Sequence, residues 1–348
     1  MVDTANGNEE VPFIAKQFGT TTKMSLAMPK TFNLKDSDIS SIRFLKKEPF
    51  FLIIISLTFL IRFFALYGNS LLVEEAYYWN YAQHFDFGYL DHPPMVALLI
   101  KLSTFFLGLN EFSVRISTFV CWMVAVFFNV KLTHLIQPKT GHYAFFLLSI
   151  LPFFFLHSLI ITPDAPLIAC WSAALYYLYR SLVLNESKTW YLAGLWLGLG
   201  MLSKYTMILL GGSAFIYMIV TPGARHWFFK KEPYLCFFII VLLFTPVLYW
   251  NANHQWASFA FQSSRRFSQA FHSSFHKFIG LLFFFLMPAG LYGLSTLMKK
   301  KSANILSLKI NAQHFMKIFT LLPLFFFGSF SLCHSIKFNW IGPGLLAL

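Results

Sequence analysis

The sequence predicts an all-α fold, a polytopic bundle of membrane-spanning helices. Its mean hydropathy is +0.60, and 57% of the chain is hydrophobic, with 44 Phe and 9 Trp among its 348 residues. Apolar runs of about twenty residues, the length that crosses a bilayer as a helix, recur along the chain. A soluble core of this size cannot enclose so much apolar surface, so the runs are expected to lie in lipid.

The apolar runs indicate about ten spans that follow a polar tail. The tail, residues 1–47, is expected to be cytoplasmic and mostly disordered, and residues 48–348 are expected to form one transmembrane domain. The run at 95–109 is short, so we expect it at the membrane interface or as part of the preceding loop. The predicted spans are Phe50–Tyr67, Phe112–Ile136, Tyr143–Ile161, Ala165–Leu184, Trp190–Leu202, Thr206–Val220, Tyr234–Trp250, Phe278–Leu297, Phe319–Ser335 and one that starts near Asn339.

Lys and Arg residues orient these spans. With the N-terminus inside, the cytoplasmic segments collect most of the basic residues, including Lys230–Lys231 and Lys299–Lys301. The positive-inside rule therefore places residues 68–111 on the outer side. The net charge of +13 follows from this bias and from attraction to anionic lipid heads, so membrane lipids are expected partners and nucleic acid is not. The acids that fall outside are Glu74, Glu75, Asp86, Asp91, Glu111 and Asp164.

Two adjacent carboxylates, Glu74 and Glu75, stand in the first outer loop of a chain in which only 12% of residues are charged. They follow the first span directly, where a carboxylate could take a proton from a hydroxyl. Adjacent residues point to different sides of a regular element, so we expect one of the two to face the reaction. Tyr77, Tyr78 and Trp79 follow and could stack on a sugar ring. A solvated pair of loop acids is the alternative.

Other polar residues are candidates for binding a substrate. Asp91 and His92 precede two prolines that rigidify the loop, although an ordinary turn would look the same. Asp164 lies in "TPDAP" at the outer tip between two spans, where an N-cap is the alternative. Cations are few on the outer side, so they are expected to hold a phosphate. The outer-side cations singled out for this role are Lys204, Arg265, Arg266 and Lys337.

Several motifs in order resemble a known family. They are "VEEAYYWNYAQHFDFGYLDHPPM", "NEFSVR", "TPDAPL", "GLGMLSKYT", "PVLYWNANHQWASFAFQ" and "KFNWIGP". From Phe50 to the end, the chain resembles the bacterial members of the dolichyl-phosphate-mannose protein mannosyltransferase-like superfamily, which includes the lipid A aminoarabinose transferase. The resemblance implies the GT-C architecture, a catalytic first outer loop at 68–111 and a polyprenyl-phosphate sugar as donor.

The resemblance also implies roles for single residues. The first acid of the family's outer-loop pair is the catalytic carboxylate, and it matches Glu74, where the family has Asp. The longer side chain keeps the capacity to accept a proton, but a shift of about 1 Å can cost on the order of a hundredfold in rate. The triplet that begins at His92 starts with Lys in the aminoarabinose transferase, where it contacts the lipid phosphate. His92 can donate hydrogen bonds to a phosphate, but it is a cation only if its pKa is raised.

Together, the residues and the resemblance predict an inverting hexosyl or pentosyl transferase of the bacterial inner membrane, with its active site facing the periplasm. Lys204, His92 and Arg265 or Arg266 would hold the phosphate of the donor. Glu74, with Glu75 as orienting partner or substitute, would take the proton of the acceptor hydroxyl. The acceptor would be a glycan, a lipid or a protein, as in lipopolysaccharide or protein glycosylation. No cofactor or metal is required, although the carboxylates could bind a divalent cation.

Two other functions are compatible with the same sequence features. A transporter or flippase for lipid-linked sugars also carries polar residues in a helical bundle, but transporters tend to hold charges near mid-membrane and to show paired repeats. The chain ends at "WIGPGLLAL", which reads as the start of another span, whereas family members continue. This ending predicts a C-terminally truncated product, and an inactive remnant is therefore the second alternative.

Overall fold

A computed structural model describes residues 49–67, 70–263, 272–299 and 307–348. Every regular element in these ranges is a helix, which confirms the predicted all-α fold class. The chain divides into two compact units at Leu52, and the architecture below is that of the second unit, Ile53–Leu348. The predicted tail at 1–47 lies outside the described residues.

The helices follow one another along the chain with short connections. Between α8 and α9 the chain forms a 3-10 turn, Tyr205–Met207, and further 3-10 segments cover Pro222–Phe229, Phe338–Trp340 and Gly342–Ala347. The α-helices of the described residues are α1 (Pro49–Tyr67), α2 (Val73–Gln83), α3 (Met95–Leu107), α4 (Glu111–Ile136), α5 (Gly141–Ile150), α6 (Pro152–Leu156), α7 (Asp164–Leu182), α8 (Thr189–Ser203), α9 (Ile208–Val220), α10 (Glu232–Asn253), α11 (Ala257–Gln262), α12 (Phe275–Met298) and α13 (Ser307–Cys333).

Four of the described helices are long and apolar enough to cross a membrane, and the bent pair Tyr205–Val220 and Pro222–Phe229 gives a fifth if it is one span. α10 is one of the four, and it exposes large apolar side chains such as Phe237, Phe238 and Leu242. Such a surface is stable against lipid rather than water. The protein is therefore a multi-pass membrane protein. The four helices are Glu111–Ile136, Glu232–Asn253, Phe275–Met298 and Asn311–Cys333.

The predicted count of about ten spans is not confirmed. The span predicted at Tyr143–Ile161 is interrupted, because Leu151 is extended (φ −63°, ψ 131°) ahead of Pro152. A residue before proline is disfavoured in the helical conformation, which explains the break between α5 and α6. The span predicted to start near Asn339 is instead a series of 3-10 turns.

Close helix packing in the centre of the bundle sets the position of the candidate site. α7 is almost entirely buried, and it packs against α4 and α8. α8 packs in turn against α10, where a Cβ atom at Gly194 would lie 2.8 Å from the carbonyl oxygen of Cys236. A Cβ atom at Gly198 would lie 2.6 Å from the side chain of Leu243. The two glycines therefore allow a helix approach that larger residues would prevent.

Candidate active site

Most of the predicted site residues with described coordinates line one cavity of about 500 Å³. The lining comes from the start of α2, the loop before α3, the α6–α7 connection, the break between α8 and α9, α11 and the segment after α13. The predicted residues in the lining are Glu74, Tyr78, His92, Asp164, Lys204 and Lys337. Predicted residues outside the lining are Glu75, Asp91, Tyr77 and Trp79. Arg265 and Arg266 lie outside the described residues.

Glu74 reaches the cavity from the first turn of α2. The helix starts at Val73 after an extended N-cap residue, Leu72 (φ −65°, ψ 159°). Glu74 and Tyr78 are four residues apart, so they share one face of this helix, and both line the cavity. Glu74 is exposed, and its carboxylate forms no ion pair within the described ranges. The carboxylate is therefore available to a bound substrate.

Glu75, predicted as the orienting partner of Glu74 or its substitute, has a different environment. Its carboxylate is fully buried and accepts hydrogen bonds from Arg115, with Nε at 2.9 Å from Oε1 and an Nη atom at 2.7 Å from Oε2. It also accepts backbone N–H groups of Leu72 at 3.0 Å and Ile161 at 3.3 Å. Glu75 therefore ties the start of α2 to α4 and to the chain before α7, and it does not face the cavity.

Asp164 and Lys204 form a buried ion pair in the wall of the cavity. Lys204 has an extended backbone (φ −160°) just after α8, and its Nζ lies 2.8 Å and 3.0 Å from the two oxygens of Asp164. The amide nitrogen of Asn339 donates to the same carboxylate at 2.6 Å. Pro163, not Asp164, is the N-cap residue of α7, so the N-cap alternative is not observed. The positive charge expected to hold a phosphate is thus already balanced by Asp164.

His157 joins this group, although the sequence did not indicate it. Its Nδ1 lies 2.8 Å from the carbonyl oxygen of Phe153, and its Nε2 lies 3.9 Å from Asp164 Oδ2. The ring is buried and stacks near Phe338 with a centroid distance of 6.0 Å. His157 stands within an apolar run, and an ionisable residue in such a run is the signal that could have identified it.

The loop before α3 is fixed by hydrogen bonds to Asp91. The hydroxyl of Tyr81 donates to Asp91 Oδ1 at 2.6 Å, and the hydroxyls of Tyr77 and Tyr81 are 2.5 Å apart. The amide nitrogen of Gln262, in α11, donates to the Asp91 carbonyl at 2.5 Å. Asp91 and Tyr77 thus hold the loop in place beside the cavity, and neither lines it.

His92 is the residue that this loop presents to the cavity. Burial, together with the charges of Lys204 and Lys337, lowers the pKa of His92 to about 4 against the opposing charges of Asp91 and Asp164. The imidazole is therefore neutral at pH 7, and it can serve a phosphate only as a neutral hydrogen-bond donor. The condition for a cationic His92, a raised pKa, is therefore not met, and its predicted contact with the phosphate stays a prediction.

Lys337 supplies the positive charge that Lys204 does not. It is exposed, lines the cavity and has no acidic partner within 4.0 Å among the described residues. Since Asp164 and Lys204 neutralise each other, the charges that remain in the described lining are those of Glu74 and Lys337. The cavity thus presents one carboxylate and one ammonium group to a ligand.

The cavity contains further polar residues that the sequence did not single out. Thr162 and Asn339 stand in the motifs "TPDAPL" and "KFNWIGP", next to predicted residues, so their neighbourhood was the available signal. Tyr205, whose hydroxyl lies 2.7 Å from Ser258 Oγ, is also in the lining, as is Gln262. No cluster of three or more His, Cys, Asp or Glu side chains suited to a metal occurs in the part of the chain that the structure describes. That the reaction requires no metal, although the carboxylates could bind a divalent cation, stays a prediction.

Comparisons with known proteins add three findings. The family model for dolichyl-phosphate-mannose-protein mannosyltransferase matches residues 91–250. The lipid A galacturonosyltransferase RgtD of Rhizobium johnstonii is 24% identical over 189 residues, which are 54% of this chain and 40% of that protein. Crystal structures of ArnT from Cupriavidus metallidurans superpose with a TM-score of 0.69, in the apo state at 17% identity and bound to undecaprenyl phosphate at 16%.

These matches cover unequal shares of the proteins. The superposition on apo ArnT includes 87% of this chain and 58% of the ArnT chain. The superposition on the complex includes 86% of this chain and 58% of the ArnT chain. The chain thus spans less than two thirds of the length of these relatives. The family model and the shared architecture agree with the resemblance that the sequence motifs indicated. The chain has the GT-C fold of ArnT and resembles the GT-C membrane glycosyltransferases, as its motifs predicted.

Proposed function

We propose that the chain is an integral membrane glycosyltransferase that moves a sugar from a polyprenyl-phosphate donor to an acceptor hydroxyl on the extracytoplasmic face. The observation that carries the proposal is the single cavity in which Glu74 and Lys337 are the charges without a partner among the described residues. A base and a phosphate-binding cation are the two groups that such a transfer needs. The resemblance in fold to ArnT bound to undecaprenyl phosphate supports the nature of the donor.

The reaction follows from these roles. Glu74 accepts the proton of the acceptor hydroxyl while the hydroxyl oxygen forms a bond to the anomeric carbon of the sugar. The bond between that carbon and the phosphate oxygen breaks, and polyprenyl phosphate leaves with both bonding electrons. A single displacement inverts the anomeric carbon. General-base catalysis of this kind contributes a factor of about 10² to 10⁴ to the rate.

The phosphate is held mainly by Lys337 in this scheme. Its ammonium group stabilises the negative charge that develops on the leaving group, since it is not neutralised by an acid among the described residues. Lys204 contributes less than predicted, because Asp164 accepts two hydrogen bonds from its Nζ. Arg265 and Arg266 stay predicted phosphate ligands.

The acceptor and the location complete the proposal. Tyr78 lines the cavity beside Glu74 and is a surface for the incoming acceptor. RgtD acts on lipid A according to its name, and we extend a lipid acceptor to this chain. We place the protein in a bacterial inner membrane, and the distribution of Lys and Arg supports the orientation in which its cavity opens to the periplasm.

Transfer of a labelled sugar tests the proposal against the transporter alternative. Liposomes that contain the full chain, undecaprenyl phosphate carrying a radiolabelled sugar and lipid A are expected to yield labelled lipid A and free undecaprenyl phosphate. Liposomes without the chain are the control. The transporter alternative requires the opposite pattern, in which the intact labelled donor crosses the bilayer and no label reaches lipid A.

A further inference from the structure

One wall of the cavity carries buried polar atoms without a hydrogen-bond partner among the described residues. They are His92 Nδ1, Thr162 Oγ1 and Asn339 Oδ1. Buried polar atoms in folded proteins are almost always hydrogen-bonded, so each such atom needs an explanation. All three residues line the same cavity, which indicates that a polar ligand supplies the missing partners.

The hydrogen-bond partners of Asn339 and of His157, which lies in the same lining, fix the chemistry of two groups. The amide nitrogen of Asn339 lies 2.6 Å from Asp164 Oδ2, and the ion-paired carboxylate can only accept, so Asn339 Oδ1 is an acceptor. His157 Nδ1 lies 2.8 Å from a carbonyl oxygen and therefore carries the proton. Asp164 already has Lys204 as its counter-charge, so the imidazole of His157 is neutral and its Nε2 is a second acceptor.

The balance of charge restricts the ligand further. Near these acceptors the described charges are Asp164 and Lys204, which cancel. A sugar carboxylate placed here would lie beside two hydrogen-bond acceptors and the carboxylate of Asp164, which would repel it. Lys337 has no acidic partner among the described residues, but it is already the ligand of the donor phosphate and so does not offset this repulsion. A sugar ammonium group would compete for Glu74, the proposed base.

We infer that the transferred sugar is an uncharged pyranose. Its hydroxyl groups donate hydrogen bonds to Asn339 Oδ1 and His157 Nε2, and one of them supplies the missing hydrogen-bond partner of Thr162 Oγ1. The inference rests on the proposed function, because it places the phosphate of the sugar donor on Lys337. A site built to bind a hydroxyl group discriminates strongly against an analogue that cannot supply it, since buried acceptors would then stay unpaired.

Binding of a matched series of lipids to the full chain tests this inference. The probes are undecaprenyl phosphate alone and undecaprenyl phosphate carrying galactose, galacturonate or galactosamine. We expect the galactosyl lipid to bind at least about tenfold more tightly than the other two sugar lipids. His157→Phe and Thr162→Val are each expected to reduce the affinity for the galactosyl lipid about three- to tenfold and to leave the affinity for undecaprenyl phosphate unchanged.

Two lysine variants provide the controls. Lys337→Met is expected to weaken binding of undecaprenyl phosphate and of its galactosyl form by the same factor, whereas Lys277→Met, at an exposed position outside the cavity lining, changes neither. If His157→Phe does not fold, as judged by its melting temperature, Thr162→Val decides. Preferential binding and transfer of galacturonate or galactosamine would overturn the inference and leave the proposed function standing. Absence of binding and transfer for every lipid would overturn the proposed function itself.

Discussion

Glu74→Gln is expected to lower the rate of sugar transfer at least about a hundredfold. Glutamine has nearly the same shape as glutamate but cannot accept the proton of the acceptor hydroxyl. Glu74 is exposed and forms no ion pair within the described ranges, so the substitution breaks no ion pair of the folded state. Binding of undecaprenyl phosphate is therefore expected to stay within about twofold of the parent protein. The measurement is single-turnover transfer of labelled sugar together with the affinity for undecaprenyl phosphate.

Glu74→Asp is the matched control for this prediction. It shortens the side chain but restores the residue that the family has at this position, so we expect it to retain activity. Normal turnover of Glu74→Gln would show that a different group accepts the proton. Loss of undecaprenyl phosphate binding in the same variant would show that Glu74 acts in binding rather than in the chemical step.

Arg115→Met is expected to destabilise the protein by about 3–5 kcal/mol, because it leaves the carboxylate of Glu75 buried without its counter-charge. Glu75 is 0% exposed and Arg115 is 4% exposed, so water cannot replace the lost partner. Arg115→Met with Glu75→Met is expected to be less destabilised than Arg115→Met alone, since the double variant buries no unpaired charge. Thermal unfolding in detergent measures these differences.

The pair of Arg180 and Glu186 supplies a comparison. It is partly exposed, with 24% and 38% of the side-chain surface accessible, and an exposed pair is worth about 0–1 kcal/mol. Arg180→Met is therefore expected to shift the melting temperature little. An Arg115→Met protein that unfolds at the same temperature as the parent would refute the structural role of Glu75.

The two adjacent acids show what the sequence could and could not reveal. Their position after the first span indicated a reactive loop, and the rule that neighbours face different sides predicted that only one would face the reaction. Which of the two acids faces the cavity depends on Arg115, which lies 40 positions after Glu75 and binds its carboxylate. No local pattern contains that information, because the pairing arises when α2 packs against α4.

The basic residues illustrate the same limit. The sequence identified Lys204 and Lys337 as outer-side cations, and both line the cavity. The buried pair of Lys204 with Asp164 could not be predicted, since the two residues are 40 positions apart and belong to different helix ends. The position of His157 in an apolar run was a signal, but its place beside Asp164 depends on the fold in the same way.

The helices were predicted better than the number of spans. Long apolar runs such as Phe112–Ile136 and Tyr234–Trp250 correspond to α4 and α10, because about twenty apolar residues have few alternatives to a helix in lipid. The run from Tyr143 is apolar throughout, yet Pro152 divides it. Local backbone chemistry therefore overrides hydropathy at this point.

In the proposed mechanism, one cavity holds the donor phosphate at Lys337 and presents the sugar to Glu74. A structure of the full chain bound to undecaprenyl phosphate tests it most directly. We expect a phosphate oxygen within about 4 Å of Lys337 Nζ, with the phosphate in the cavity that Glu74 and His92 line. A phosphate bound outside this cavity, against the basic residues of the predicted cytoplasmic face, would contradict the claim.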